Sequence, residues 1–168
     1  MATITDPLTM LMQDHQRILG HLETLRRGLK SLADGKPGAE TVASMRQAAQ
    51  TLAREIDLHS LKKEEQALFP SLTEVIGPMG PVAVMIAEHR ELDARLPQLL
   101  QELGKEKPDV SKVRALIEFI ADLLPPHIQK EDYILYPLAK ERLSGKQMAR
   151  IVTKFEELEK AQAPPKSY

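Results

Sequence analysis

The residues best suited to do chemistry are histidines and glutamates in two similar stretches of the chain. The first stretch, HSLKKEEQALFP, spans residues 59–70, and the second, HIQKEDYILYP, spans residues 127–137. When their final prolines are aligned, Glu64 falls on Glu131. Imidazole nitrogen and carboxylate oxygen, in a chain without cysteine, are ligands suited to iron or manganese, with zinc as a weaker alternative.

The spacing of these residues favours a shared cation site. His127 and Glu131 are four residues apart and therefore project from the same face of a helix. Four of the five histidines fall one per long helix. Two cations with bridging carboxylates are the economical arrangement for four histidines and two glutamates. The candidate metal ligands are His15, His59, Glu64, His89, His127 and Glu131.

Each of these groups also has an ordinary interpretation. A single histidine on an apolar stripe is usually a hydrogen-bonded core residue, but several buried polar groups without partners would each cost about 1–3 kcal/mol. The acids of the charge-rich KKEE and KED segments can form a solvated face. We expect solvation for Lys62, Lys63, Lys130, Glu65 and Asp132. His21 lies six residues after His15 and is predicted to stay outside the ligand set.

The position of His59 conflicts with a regular helix. His127 aligns with Ser60, so His59 lies one residue too early and turns about 140° away from Glu64 on an α-helix. Three explanations remain open: a π-type bulge, a shifted side-chain rotamer, or loss of this ligand. We favour a retained ligand and expect a helical irregularity between Ile56 and Glu64.

Helical periodicity and Gly/Pro punctuation predict the elements that position these residues. Apolar residues recur at helical spacing along four long segments, with breaks near residues 34–39, 77–81 and 104–109. Pro125 and Pro126 are expected to interrupt and bend the fourth helix. Four long helices with short connections predict an all-α, up-down-up-down four-helix bundle with a short extra C-terminal helix.

The chain is predicted to be a single domain over residues 1–168. The bundle is expected over about residues 6–142 and the extra helix over about 144–162, with a frayed end at 163–168. DHQRILGHL resembles EHRELDARL, and each precedes one copy of the histidine-glutamate motif. The sequence therefore indicates a duplicated helical hairpin with approximate twofold symmetry.

Composition excludes several classes of function. A formal net charge of −1 and an aromatic content of 4% argue against a nucleic-acid partner. The absence of cysteine excludes disulfides, iron–sulfur clusters and thiolate nucleophiles. No apolar run predicts a membrane span, and the N-terminus is not typical of a secretory signal. We expect a cytoplasmic protein that binds no nucleic acid and no membrane.

The four histidine-bearing segments together resemble the hemerythrin family in its histidine-histidine-glutamate cation-binding form. The resemblance covers about residues 8–140, through DHQRIL, HSLKKEEQALFP, VMIAEHREL and HIQKEDYILYP. It implies a bundle with two non-haem iron ions, which an oxo or hydroxo group can bridge. His15, His89 and His127 match family ligand positions, and Glu64 and Glu131 match bridging carboxylates. Met85 stands where oxygen-carrying members have a further histidine.

The resemblance implies a protein that reacts with or senses a small ligand, namely dioxygen, nitric oxide or peroxide. Sensing, transport, detoxification and maintenance of iron centres would all use this chemistry. One alternative is a helical interaction or regulatory bundle with a degenerate metal site, which the positions of His59 and Met85 would support. A third hypothesis is a ferritin-like carboxylate oxidase, which is disfavoured because its motif places histidine after glutamate.

Overall fold

A computed structural model describes residues 5–35 and 38–162, which form α- and π-helices without a strand in these ranges. The helical segments follow one another in chain order. They are α1 (Pro7–Ala33), α2 (Ala39–Ile56), π1 (Asp57–Leu68), α3 (Phe69–Ile76), α4 (Pro81–Leu103), α5 (Val110–Lys130), π2 (Glu131–Leu135), α6 (Tyr136–Arg142) and α7 (Gly145–Ala161).

Several of these segments join end to end into long rods. The segments α2, π1 and α3 are continuous, as are α5, π2 and α6. Together with α1 and α4 they form four rods, in which α1 packs on α2 and α5, and α4 packs on α2 and α5. The additional helix α7 lies against π1 and α1. The predicted all-α four-helix bundle with an extra C-terminal helix is confirmed.

The helix boundaries follow the Gly/Pro punctuation of the sequence. The breaks predicted near residues 77–81 and 104–109 separate α3 from α4 and α4 from α5. The break predicted near residues 34–39 follows α1, although residues 36–37 lie outside the described ranges, as does the end predicted to fray at 163–168. Gly77 and Gly80 adopt φ values of 85° and 81°, which a side chain would strain.

The prediction that Pro125 and Pro126 interrupt the fourth helix is wrong, because α5 continues through both residues to Lys130. A proline in a helix leaves the carbonyl four residues earlier without its usual donor. Those carbonyls belong to Ala121 and Asp122, and neither residue is fully buried. Water can therefore satisfy them, and the helix tolerates the two prolines.

The π-helical segments form next to two other prolines. The amide of Phe69 donates to the carbonyl of Glu64, and the amide of Tyr136 donates to that of Glu131, in each case across five residues. Each donor immediately precedes a proline, which has no amide hydrogen and cannot continue the α-helical pattern. The irregularity predicted near His59 is confirmed by π1, whereas π2 was not predicted.

The core consists of two apolar clusters with a polar layer between them. Along α1, Leu11 belongs to one cluster and Ile18 to the other, and His15 lies between them. Along α4, His89 lies between Met85 and Leu92 in the same way. The two apolar clusters therefore shield the polar layer from both ends of the bundle. None of the described helices is long and apolar enough to cross a membrane.

Candidate metal centre

The polar layer brings together all six predicted ligand residues, and each of them is buried. They come from α1, π1, α4, α5 and π2, so every rod of the bundle contributes at least one side chain. The side chains form two groups with geometry suited to a cation. The first group contains Glu64, His89, His127 and Glu131, and the second contains His15, His59 and Glu131.

The first group places two imidazole nitrogens against two carboxylates. His89 Nε2 lies 3.2 Å from Glu64 Oε2, and His127 Nε2 lies 3.0 Å from Glu131 Oε1. His89 Nε2 is also 3.8 Å from Glu131 Oε1. Four ligand atoms therefore converge from four residues.

The second group is built around the other oxygen of the same glutamate. His15 Nε2 lies 2.9 Å from Glu131 Oε2, and His59 Nε2 lies 3.9 Å from it. The two imidazole nitrogens are 3.0 Å apart. Glu131 therefore presents one oxygen to each group, which is the arrangement expected of a bridging carboxylate.

Glu64 differs from Glu131 in its environment, although the sequence suggested the same role for both. Its Oε2 faces His89 and lies 3.7 Å from His59 Nε2. Its Oε1 accepts a hydrogen bond of 2.7 Å from the hydroxyl of Tyr136. In this structure Glu64 is grouped with the first set only.

A carboxylate orients each of the four histidines. The Nδ1 atoms of His15 and His89 lie 2.8 Å from Asp132 and Glu65, respectively. The equivalent distances are 3.1 Å from His59 to Asp14 and 2.7 Å from His127 to Glu88. An N–H at Nδ1 that donates to a carboxylate leaves Nε2 free to bind a cation, and the carboxylate raises the basicity of the ring.

These carboxylates follow the duplication of the sequence. Asp14 and Glu88 each precede a histidine of the repeated DHQRILGHL and EHRELDARL segments, and Glu65 aligns with Asp132. The expectation that Glu65 and Asp132 are solvated is wrong, since each holds a histidine ring. Their position in charge-rich segments suggested solvation. Their aligned positions in the two repeats, directly after Glu64 and Glu131, indicated instead that both have the same role.

The expectation of solvation is also wrong for Lys63, whose side chain is only 1% exposed. Its ammonium group lies 2.9 Å from Asp14 and 2.7 Å from Glu159 of α7. Lys130, the aligned residue, pairs with Glu88 and remains partly exposed. Lys62 pairs with Asp57 at the surface, as its charge-rich surroundings predicted.

Tyr136 is a site residue that the sequence interpretation missed. Its hydroxyl lies 3.3 Å from His15 Nε2 and 3.5 Å from His59 Nε2, and its ring stacks on His15 at 5.6 Å. Phe69, the aligned residue of the first repeat, stacks on His89 at 5.7 Å. The phenol therefore distinguishes the second group from the first. The alignment of Phe69 and Pro70 with Tyr136 and Pro137 in the two repeats could have indicated this role for Tyr136.

The charged groups of the layer shift one another's pKa values. Burial lowers the pKa of His59, but Glu64, Asp14 and Glu131 outweigh it and raise that pKa to about 10. Burial also lowers the pKa of His89, but its close contacts with the negative charges of Glu131 and Glu64 outweigh burial and raise that pKa to about 10. Conversely, burial favours the neutral form of Glu131, but the charge of His127 holds its pKa well below the usual range. Protons on His59 and His89 are therefore favoured beside Glu131, and a cation bound there would displace them.

The hydroxyl of Tyr136 stays protonated at neutral pH. Burial raises its pKa well above the usual value, and the negative charges of Glu131 and Glu64 raise it further. Tyr136 is therefore a hydrogen-bond donor in this layer, as its contact with Glu64 also indicates.

Unpartnered atoms at the centre of the layer test whether a cation fits. Five buried atoms lack an aligned hydrogen bond among the described residues: Glu64 Oε2, His89 Nε2, His127 Nε2, and Glu131 Oε1 and Oε2. Some approach one another closely enough for electrostatic attraction, but their geometry is wrong for a hydrogen bond. Unpartnered buried groups are costly, and cations between them would satisfy all five. This nitrogen and oxygen set suits iron or manganese.

Two other residues lie outside the centre. His21 is only partly buried and belongs to neither ligand group. Met85 is 2% exposed and packs in the apolar cluster beside the layer, one helical turn before His89. Its thioether occupies the position at which the resemblance places a further histidine in oxygen carriers.

No curated protein matches the chain. A protein-family model does match it, and the matched family agrees with this geometry. The family model described as "Hemerythrin HHE cation binding domain" matches residues 6–139, which include both ligand groups and nearly the whole of the four rods. The chain belongs to the hemerythrin family of HHE cation-binding domains.

Proposed function

We propose that the chain binds two non-haem iron ions and reacts with or senses a small ligand, namely dioxygen, nitric oxide or peroxide. The observation that carries the proposal is the position of Glu131, whose two unpartnered oxygens each face a separate group of histidines. A single cation would use only one of these groups. When bound, a pair of iron ions supplies redox-active positions that hold such ligands and exchange electrons with them.

The protein residues would make the two iron positions unequal. The first group offers four ligand atoms, whereas the second offers three. The second group therefore has more room for an exogenous ligand, and the Tyr136 hydroxyl lies beside it. A protonated phenol can donate a hydrogen bond to an oxygen or nitrogen atom held there. In this role Tyr136 would exchange its bond to Glu64 for one to the ligand.

The surrounding residues would hold the centre rigid and dry. The four carboxylates that contact Nδ1 atoms restrict rotation of the imidazoles. The apolar clusters on either side limit access of water, which strengthens electrostatic interactions within the layer. These features favour a site that retains its metal over one that exchanges it with solvent.

The alternative of a degenerate metal site loses one of its two supports. That hypothesis rested on the misplaced His59 and on Met85, and π1 accommodates the additional residue at His59. His59 Nε2 lies 3.0 Å from His15 Nε2, the other imidazole nitrogen of the second group, and His59 Nδ1 contacts Asp14. A ligand that had been lost would not be expected to keep both contacts.

A spectroscopic experiment tests the proposed reactivity. The protein would be loaded with ferrous iron without oxygen and then mixed separately with dioxygen, nitric oxide and hydrogen peroxide. We expect at least one ligand to change the visible spectrum in proportion to the protein concentration. The His59→Ala variant should lose most of this change, whereas His21→Ala should keep it. An iron-loaded protein that is inert to all three ligands would contradict the proposed function.

A further inference from the structure

The duplication that orders the metal centre also extends to the protein surface. Asp14 and Lys63 form a buried ion pair in the first repeat, and Glu88 and Lys130 form the equivalent pair in the second. The same alignment pairs Ala67 with Ile134. It also pairs Met10 with Val84, because each lies four residues before the acid of its ion pair. The two halves can therefore be compared residue by residue.

In the first half, α7 covers this surface. Ile151 and Phe155 of α7 belong to the same apolar cluster as Ala67, and Met10 packs against that cluster. The ammonium group of Lys63 lies 5.6 Å from the centre of the Phe155 ring. The same group also binds Glu159, one helical turn further along α7. Phe155 and Glu159, an aromatic side chain and a carboxylate four residues apart on α7, thus cover the surface of the first half around Lys63.

In the second half, the residues equivalent to Ala67 and Met10 are exposed. Ile134 is 57% exposed, whereas Ala67 is 7% exposed. Val84 is 47% exposed and Tyr133 is 78% exposed. The Lys130 side chain is 39% exposed and pairs only with Glu88 among the described residues, whereas Lys63 pairs with two carboxylates. We call Val84, Lys130, Tyr133 and Ile134 the open face.

Helical spacing and the directions of the two rods place these residues near one another. Val84 lies one helical turn before Glu88 on α4, and Ile134 lies one turn after Lys130 on the neighbouring rod. The two rods are joined through a short loop, so they run in opposite directions. The contact between Glu88 and Lys130 therefore brings Val84 and Ile134 to the same end of the pair. The result is an apolar surface bordered by the Lys130 ammonium group, which can still donate further hydrogen bonds.

We infer that the open face binds an amphipathic α-helix of a partner protein. The helix would place an aromatic or aliphatic side chain over Ile134 and a carboxylate, four residues later, on Lys130. The chain itself provides the template, because α7 makes this combination of contacts on the equivalent surface of the first half. Apolar anchors beside a charged contact are a recurrent mode of helix recognition.

A peptide with the sequence of α7 is the probe for this inference. A fluorescent peptide of residues 144–162, SGKQMARIVTKFEELEKAQ, would be titrated with the full chain and followed by anisotropy. We expect saturable binding that Ile134→Asp weakens at least tenfold. Val110→Asp is the matched control, since Val110 is 40% exposed but lies at the far end of α5. Both substituted residues are exposed, and circular dichroism would verify that the helix content is unchanged.

A charge exchange makes the test specific for Lys130. Lys130→Glu should weaken binding at least tenfold, and a peptide carrying the equivalent of Glu159→Lys should restore it. Absence of binding would overturn the inference. Binding that Lys63→Met abolishes but Ile134→Asp leaves unchanged would also overturn it, because the peptide would then have replaced α7 on the first half. Sedimentation that shows a dimer of the wild-type chain, lost in Ile134→Asp, would also overturn it by making a second copy the occupant.

Discussion

At the scale of single residues, the function of each imidazole depends on which of its two nitrogens is free. A carboxylate occupies Nδ1 in all four histidines of the centre, so each Nε2 faces the interior. Glu131 then connects the two groups through its separate oxygens. Substitution of a residue that would bind a cation directly should therefore change the metal content more than substitution of a residue that only orients such a ligand.

The first prediction compares two glutamates. Glu131→Ala removes an oxygen from both ligand groups, so we expect bound iron to fall below half of the wild-type amount. Glu65→Ala removes only the partner of His89 Nδ1, and loss of such a partner typically weakens metal affinity about 10–100-fold. With iron in excess, Glu65→Ala should therefore retain more metal than Glu131→Ala. Metal analysis at equal folded fraction measures the difference, and equal iron contents would refute the assignment.

The second prediction concerns the Tyr136 hydroxyl. Tyr136→Phe should fold and bind normal amounts of iron, because Phe69 already makes the equivalent stacking contact in the first half. A lost hydrogen bond of about 1.5 kcal/mol should weaken binding of nitric oxide or peroxide roughly tenfold. Tyr133→Phe is the control, since Tyr133 is exposed and three residues away. Ligand affinities that are the same in both variants would exclude a role for the hydroxyl.

At the scale of helical segments, π1 decides whether His59 belongs to the centre. A regular α-helix would turn His59 and Glu64 apart, whereas π1 accommodates both within one buried layer. Pro70 follows π1 by two residues and lacks the amide hydrogen of an α-helical bond. Pro137 follows π2 in the same way, although His127 lies within a regular α-helix.

The third prediction exchanges the histidine between adjacent positions. The double variant His59→Ser and Ser60→His restores the spacing found in the second repeat. Because π1 already directs His59 toward the second ligand group, the exchanged histidine should point elsewhere and metal binding should weaken. The single variant Ser60→Ala provides the control for disturbance at that position. Stronger iron binding by the exchanged variant, measured by competition with a chelator, would show that His59 is a poor ligand.

Much of the fold could be predicted from the sequence because it depends on local signals. Apolar periodicity located the rods, and Gly/Pro clusters located their ends. The positions of Glu65 and Lys63 could not be predicted from periodicity, because π1 changes which side chains turn inward. Tyr136 was missed because an aromatic residue on an apolar stripe ordinarily predicts only packing. The internal repeat pairs Glu65 with Asp132 and Tyr136 with Phe69, and both members of each pair contact a histidine of the centre.

At the scale of the whole molecule, the bundle is a symmetrical scaffold with an asymmetrical centre and surface. The orienting carboxylates are repeated between the halves, whereas Tyr136 and Phe69 differ. Likewise, α7 covers one half and leaves the open face on the other. Duplication thus explains the framework, and these departures from it distinguish the two halves in structure.

The fourth prediction is the pH dependence of stability in protein stripped of metal by a chelator. His59 and His89 have folded-state pKa values of about 10, compared with 6.5 as the ordinary value. Their contribution to the free energy of unfolding is therefore fully present below about pH 6.5 and is lost as the pH rises toward about 10. Urea denaturation should show lower stability at about pH 9 than at about pH 6.5. A His59→Ala variant should show a weaker decline, and an unchanged slope would contradict the assigned charge coupling.

The most direct test of the central claim is an anaerobic titration of the chelator-stripped protein with ferrous iron. Two ligand groups that share Glu131 predict saturation at about two iron ions per chain, with His59→Ala losing one of them and His21→Ala losing neither. Calorimetry and direct metal analysis of the same samples would establish the stoichiometry. Saturation at one ion or none, in protein that circular dichroism shows to be folded, would contradict the account.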